Sequence, residues 1–341
     1  MELNPRKRAI LAAIINSYVE KGEPVGSKAL CDMLDFSLSS ATLRNEMSDL
    51  CALGYLEQPH TSAGRVPTAR GYKLYIDDLM HRDTVNAETK LIIDSLLEGL
   101  SGDVQDITHQ AGQILSDLMG LPALTLMQSD SANTVKRIEL VPMGPRSILL
   151  VLMTSNGLVK SRMLRSDLPP TAEFFERFSE ICRLYIIGKP LSQLNRSYSQ
   201  QIIARSGDIA MLGPIAALFD MIEDADRSSF ALRGESNLFR CYEQEGQAHR
   251  LMSLLSQKEL MLSLCTRLTD PIGVLFGTDT DISELKSATI VLARVGDGKR
   301  EFGRIGVIGP TRMSYERVIP SLEYFAEKLS KVICDSLCWE Q

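Results

Sequence analysis

The sequence has only four histidines in 341 residues, at positions 60, 81, 109 and 249, and no recognisable nucleophile motif lies near any of them. Hydrolytic and acyl-transfer triads need such a neighbour, so catalysis of that kind is not expected. Seven cysteines (31, 51, 182, 241, 265, 334 and 338) form no CxxC pair and are odd in number, which speaks against a disulfide framework and a zinc site alike. Long apolar runs are missing too. Uncharged apolar runs such as residues 147–153 are far short of the roughly 20 residues that cross a bilayer, so no membrane partner is expected. Nor is there an excess of positive charge. The net charge is −6, whereas proteins that coat nucleic acid without sequence preference rely on surplus Lys and Arg. Residues 1–82 carry ten basic and ten acidic side chains, so this segment is neutral and the remainder holds the whole deficit. The start, Met1 to Arg8, lacks the apolar core of a secretory signal, and the expected location is the cytoplasm. No cofactor is implied.

At this length two or three domains are expected. Residues 5–21 are predicted to be a helix, with Pro5 in the first turn and Gly22 as the stop. Ser27 is placed as the N-cap of a short second helix. A third follows Ser39-Ser40, with Leu43, Met47 and Leu50 as its core stripe and Gly54 as its end. Three helices joined by tight turns form a helix-turn-helix, and the stretch from Tyr55 to Thr68, built around small residues, reads as a wing. Another helix is predicted over 68–80 and a polar linker over 81–89.

Beyond it, helices are predicted over 90–100 and 105–119, then strands over 135–141, 147–154 and 158–164, with Ser155-Asn156-Gly157 as a hairpin turn. Helices return from Pro170 to about 224, a short strand at 230–232, and one helix over 247–268. Strands at 272–276, 288–295 and 302–308 precede a last helix built on Val318, Leu322, Phe325, Leu329 and Val332. Gly303, Gly306 and Gly309 sit within or after a strand, not between strand and helix, so they read as strand crowding and a turn instead of a dinucleotide loop. Strand-rich blocks flanking a helix-rich block suggest an α+β domain interrupted by an insertion.

On the third helix Ala41, Arg44, Asn45 and Ser48 fall on the face opposite the core stripe. Arg pairs bidentately with guanine and Asn with adenine, and the small Ala41 and Ser48 allow close approach to base edges. Ser39, Ser40 and Thr42, with Ser27, offer hydroxyls and helix-start amides to phosphate. Alone, an exposed Arg-Asn pair is an ordinary solvated surface. The wing tips the balance, because His60, Ser62 and Arg65 lie on a glycine-containing loop without apolar partners, where phosphate or minor-groove contact is the natural use.

The run from Ala41 to Met47, continued by Gly54 to Thr68, resembles the HrcA family of heat-inducible transcription repressors. Arg233-Gly234-Glu235-Ser236-Asn237-Leu238 and the stretch Gly306 to Met313 resemble it as well, so the likeness covers essentially the whole chain. Cys51 and Ala69 depart from it, where an acidic residue and Asp are usual. The resemblance implies a winged helix-turn-helix (1–80), a GAF-like α/β domain in two parts (90–165 and 262–341) and a helix-rich dimerisation domain inserted between them (166–261). It implies a homodimer on double-stranded DNA carrying the CIRCE inverted repeat, upstream of DnaK and GroE chaperone operons, and dependence on the GroE chaperonin. The competing expectation is a regulator that senses a small molecule through its GAF-like domain.

Overall fold

In a computed structural model of the chain, residues 3–34, 38–60, 63–80, 85–127, 133–166, 168–242, 245–298 and 300–338 are described. Asn4 accepts from the Lys7 amide and opens α1 (Pro5–Lys21), which Gly22 closes in the left-handed region at φ 71°. After α2 (Ser27–Cys31), Ser39 caps α3 (Ser40–Ala52) by accepting from the Thr42 amide. Gly26, not Ser27, is the N-cap of α2; the Ser27 hydroxyl instead lies 2.8 Å from that of Ser40. Strands β1 (Leu56–Glu57) and β2 (Val66–Pro67) pair antiparallel, and α4 (Ala69–Leu74) continues into a π-helical turn, Tyr75–Leu79. Ile10, Leu11, Ile14, Ile15, Leu30, Leu43 and Leu50 are buried together, so the three helices close on one apolar centre.

Of the expected linker, residues 81–84 lie outside the described residues, and Asn86 already caps α5 (Ala87–Glu98), earlier than the expected start at 90. Then come α6 (Val104–Met119), β3 (Ala123–Met127), β4 (Val135–Gly144), β5 (Ser147–Thr154), β6 (Val159–Arg165), α7 (Ala172–Tyr185), α8 (Arg196–Ser206) and α9 (Leu212–Asp226). The remainder is β7 (Ser229–Arg233), α10 (Ser236–Cys241), α11 (Glu245–Leu255), α12 (Lys258–Cys265), β8 (Ile272–Phe276), β9 (Ala288–Gly296), β10 (Glu301–Pro310) and α13 (Tyr315–Cys338). The single helix expected over 247–268 is two, α11 and α12, with non-helical backbone at Gln257 between them. The bend lets Leu251 and Leu255 on one segment and Met261 and Leu264 on the other reach the same core.

Five strands form one antiparallel sheet in the order β7-β3-β10-β9-β8. Because successive strand residues face opposite sides, Val291, Ala293, Ile305 and Val307 pack with α6 and α13 residues such as Leu115, Leu322 and Phe325. Leu124, Leu126, Ile290 and Leu292 face the other way, onto α10, α11 and α12. Both faces are covered, so this lobe is a three-layer sandwich.

A second sheet, β4-β5-β6, stands apart. Its buried residues Val135, Ile138, Leu150 and Leu152 pack with Phe178, Ile181, Ile202, Ile215 and Ile222 of α7, α8 and α9. The packing therefore places the strands of 135–165 with the helices that follow them, and returns β7, α10, α11 and α12 to the five-stranded lobe. The sequence reading put the strands with the lobe and the helices up to 261 with the insertion. The reason for the difference is register: successive residues of β5 alternate half-buried and buried, matching helices on one face only, unlike the doubly covered strands of the larger sheet.

Candidate nucleic-acid interface

The α3 face opposite the core is open. Ala41, Arg44, Asn45 and Ser48 are all exposed, while Leu43, Met47 and Leu50 are buried beneath them. Helical spacing alone accounts for this division. Two acidic residues of the same helix, Glu46 and Asp49, lie to one side, and α1 neutralises them. The Lys7 ammonium sits 2.7 Å from Asp49 and 3.5 Å from Glu46, with Arg6 3.8 Å from Glu46. The hydrogen bond to Asp49 raises the Lys7 pKa above its ordinary value, as a partnered ammonium should. Arg44 is thus presented beside carboxylates that are already partnered, which lowers the repulsion a phosphate backbone would meet.

The hydroxyls assigned to phosphate already have structural work. Ser39 accepts from the Thr42 amide at 3.1 Å and shares a 2.8 Å hydrogen bond with the Thr42 hydroxyl. Ser40 and Ser27 bond to each other, which pins the start of α2 to the start of α3 and sets the turn between them. A hydroxyl has one donor and two acceptor sites, so these bonds still leave capacity for a further partner. Lys28, exposed one residue into α2, was not singled out from the sequence. A cation within the first turn of the helix preceding a recognition helix is the signal that could have found it.

The wing is anchored at its base. Val25 and Arg65 exchange two backbone hydrogen bonds of 2.9 Å, which joins the strand returning from the wing to the turn before α2. Gly64 is needed there, since a Cβ would sit 2.5 Å from the Val25 carbonyl. Arg65 is half-buried and its Nε is buried without a hydrogen-bond partner among the described residues. His60 is exposed, and its carbonyl accepts from the Ala63 amide. Ser62 lies outside the described residues. Arg44, Asn45 and Ser48 thus share one helix face, whereas Arg65 belongs to the wing base and His60 to the stretch after β1.

The whole winged unit is seated on the larger lobe. Tyr72 of α4 stacks on Phe276 at 6.3 Å and meets Tyr315 at 5.5 Å between ring centroids. The Tyr75 hydroxyl donates to Glu316. The sequence marks Tyr72 and Tyr75 as one helix face but carries no signal of what they pack against.

Among the described residues no helix is long and apolar enough to cross a membrane, and no group of three or more His, Cys, Asp or Glu could hold a metal ion.

Residues 2–79 match the family described as winged helix-turn-helix transcription repressor, HrcA DNA-binding, and residues 105–319 match HrcA protein C terminal domain. The chain is similar to the heat-inducible transcription repressor HrcA of Desulforudis audaxviator, at 33% identity over 98% of each chain. It is likewise similar to that of Clostridium perfringens (strain ATCC 13124), at 32% identity over 97% of this chain and 99% of the relative. A solved structure described as a hypothetical protein shares the fold with a TM-score of 0.65 at 22% identity, covering 98% of this chain and all of the other.

Proposed function

Since the chain belongs to the HrcA family of heat-inducible transcription repressors, we propose that it represses chaperone operons of the DnaK and GroE type by binding the CIRCE inverted repeat as a homodimer. The observation that carries this is the exposed Ala41–Arg44–Asn45–Ser48 face of α3, set beside a wing whose base is fixed to the preceding turn. It is not an enzyme: it is a repressor with DNA as its partner. In the finer reading α3 enters the major groove, Arg44 and Asn45 read bases, and His60, Ser62 and Arg65 touch backbone or minor groove. Ser27, Ser39, Ser40 and Thr42 position the helix on phosphate.

A two-fold operator calls for a two-fold protein. The outer face of the β4-β5-β6 sheet supports such pairing. Leu149 is flanked in register by Val141 and Met163, and all three are exposed or half-buried on the side away from α7 and α9. Ile209, in the 3-10 turn before α9, and Leu212, the first residue of α9, add exposed apolar surface, at 87% and 50%. The larger lobe takes the GAF-like part, and the protein works in the cytoplasm.

Release on heating follows from titration of the chaperonin. Native domains hold only about 5–15 kcal/mol of stability, and a repressor that needs the GroE chaperonin to stay folded loses that help when other unfolded chains occupy it. The testing experiment is binding of purified protein to a CIRCE duplex and to a scrambled duplex at one fixed salt concentration, for the unmodified chain and Arg44→Ala. Preference for CIRCE that disappears in the variant supports the reading; equal weak binding to both duplexes by a folded dimer refutes it.

A further inference from the structure

A cleft of about 930 Å³ separates the winged helix from the five-stranded lobe, and a volume near the upper end of the ordinary ligand range of roughly 300–1,000 Å³ suits a small molecule. It lies outside the lobe's own layers, where a ligand-sensing domain of this shape would be expected to hold one. Lys21, Arg70 and Tyr72 line it from the winged-helix side, and Tyr242, Lys286 and Arg312 from the other.

Two observations say what it would bind. The first is charge: among the described residues lining the cleft, these four cations face two carboxylates, Glu23 and Glu57. Lys21, Lys286 and Arg312 are exposed to it. The second is a pair of orphan donors. Tyr72 and Tyr242 are 1% and 7% exposed, and each hydroxyl is buried with no hydrogen-bond partner among the described residues. Leaving a buried hydroxyl unpaired is unfavourable, so two on one cleft are unexpected unless something there accepts from them. Burial pushes both phenols well above their ordinary pKa and keeps them protonated, hence donors.

We propose that this cleft is a binding site for a small anion bearing carboxylate or phosphate groups, which accepts hydrogen bonds from Tyr72 and Tyr242 while Lys21, Arg70, Lys286 and Arg312 balance its charge. Because its two walls belong to the DNA-binding unit and to the lobe, an occupant holds one against the other. Any difference in its affinity between DNA-bound and free protein must appear equally as a difference in DNA affinity.

The site is independent of the operator reading, and its test contains no DNA. The full chain is titrated calorimetrically and melted with inorganic phosphate, citrate and AMP, each against chloride at equal ionic strength. The expected result is saturable binding of at least one of the three, with a melting temperature that climbs with its concentration. Tyr242→Phe and Lys286→Ala should each weaken that binding at least fivefold. Tyr242→Phe should leave the melting temperature of the ligand-free protein unchanged or raised, since it removes an orphan hydroxyl. Lys286 is exposed, so its variant folds in any event. Absence of saturable binding by all three probes overturns the proposal, as does binding that Lys286→Ala leaves unchanged.

Discussion

The Tyr75 hydroxyl, at the end of the winged unit, donates to the carboxylate of Glu316, 241 positions further along the chain, and lies 2.5 Å from the side-chain oxygen of Asn16. Three elements meet at that point: α1, the π-turn after α4, and the first turn of α13. Hydrogen bonds to charged partners contribute roughly 1.5–3 kcal/mol, and the partial exposure of Glu316 reduces this, so Tyr75→Phe is expected to lower stability by about 1–2 kcal/mol. Urea unfolding measures it. An unchanged midpoint would show that the contact does not hold the winged helix to the lobe.

Arg44 and Asn45 are exposed, so replacing either by Ala should leave folding within about 0.5 kcal/mol of the unmodified chain. Each bidentate base contact discriminates by roughly 1–3 kcal/mol, so affinity for the cognate duplex should fall about fivefold to 150-fold in either variant while affinity for a scrambled duplex barely changes. Parallel titrations of both duplexes at one salt concentration separate base reading from phosphate contact. A uniform loss on both would move Arg44 to the phosphate-contacting group.

Ser39→Ala tests the opposite balance, a residue with a structural duty as well as a proposed phosphate contact. Its hydroxyl caps α3 through the Thr42 amide. Loss of an N-cap costs about 0.5–2 kcal/mol, so the variant should melt earlier and also bind DNA more weakly. Ser39→Asp restores the cap acceptor but adds negative charge where phosphate would sit. It should recover the melting temperature and bind DNA more weakly than Ser39→Ala; recovery of both would remove Ser39 from the interface.

Much of this was legible in the sequence where one face of an element is buried and the other is not. The core stripe of α3 and the half-buried strands β4, β5 and β6 show up as periods of 3.6 and 2, within one to three residues of their true ends. The strand β3 was missed for the complementary reason. Ala123, Leu124, Thr125 and Leu126 are buried on both faces, so the segment has no alternation to read, and a short apolar run does not distinguish strand from helix. Long-range partnership is the other gap. Periodicity marks Tyr72 as buried, but that it is buried against Phe276 and Tyr315 depends on a docking between distant segments that no local pattern encodes. The expected boundary at residue 166 runs through a single core on the same ground, since the strands and helices on either side of it come together only in three dimensions.

The exposed sheet face offers a direct test of pairing. Met163 stands opposite Leu149 and is 54% exposed in the single chain, so Met163→Asp leaves the inner core untouched. In a dimer closed across this face, the new carboxylate would be buried without a partner, at a cost of roughly 2–5 kcal/mol. Sedimentation equilibrium should show the unmodified chain as a dimer and the variant shifted to monomer at micromolar concentration, with the thermal transition of the monomer preserved. A variant that stays dimeric places the interface elsewhere.

Alkaline pH probes the junction from another direction. Burial is the first cause of raised pKa values for Tyr72, Tyr75, Tyr242 and Tyr315, all above the ordinary 10.0. Well below pH 10 these phenols are protonated in both folded and unfolded chains and contribute no pH dependence. Above it the unfolded chain releases protons that the native state retains, so the unfolded form is favoured and stability falls as pH rises. The limiting slope is about 1.4 kcal/mol per pH unit for each tyrosine. Lys7, whose pKa is raised chiefly by its hydrogen bond to Asp49, acts in the same direction, because its partnership is lost on deprotonation. Tyr242→Phe isolates the phenol share: it should make the decline in urea midpoint between pH 9 and 11 shallower while Lys7 still contributes. A midpoint that stays level over that interval in the unmodified chain would mean that these hydroxyls reach water in solution, and that the cleft between the winged helix and the lobe opens further than the structure shows.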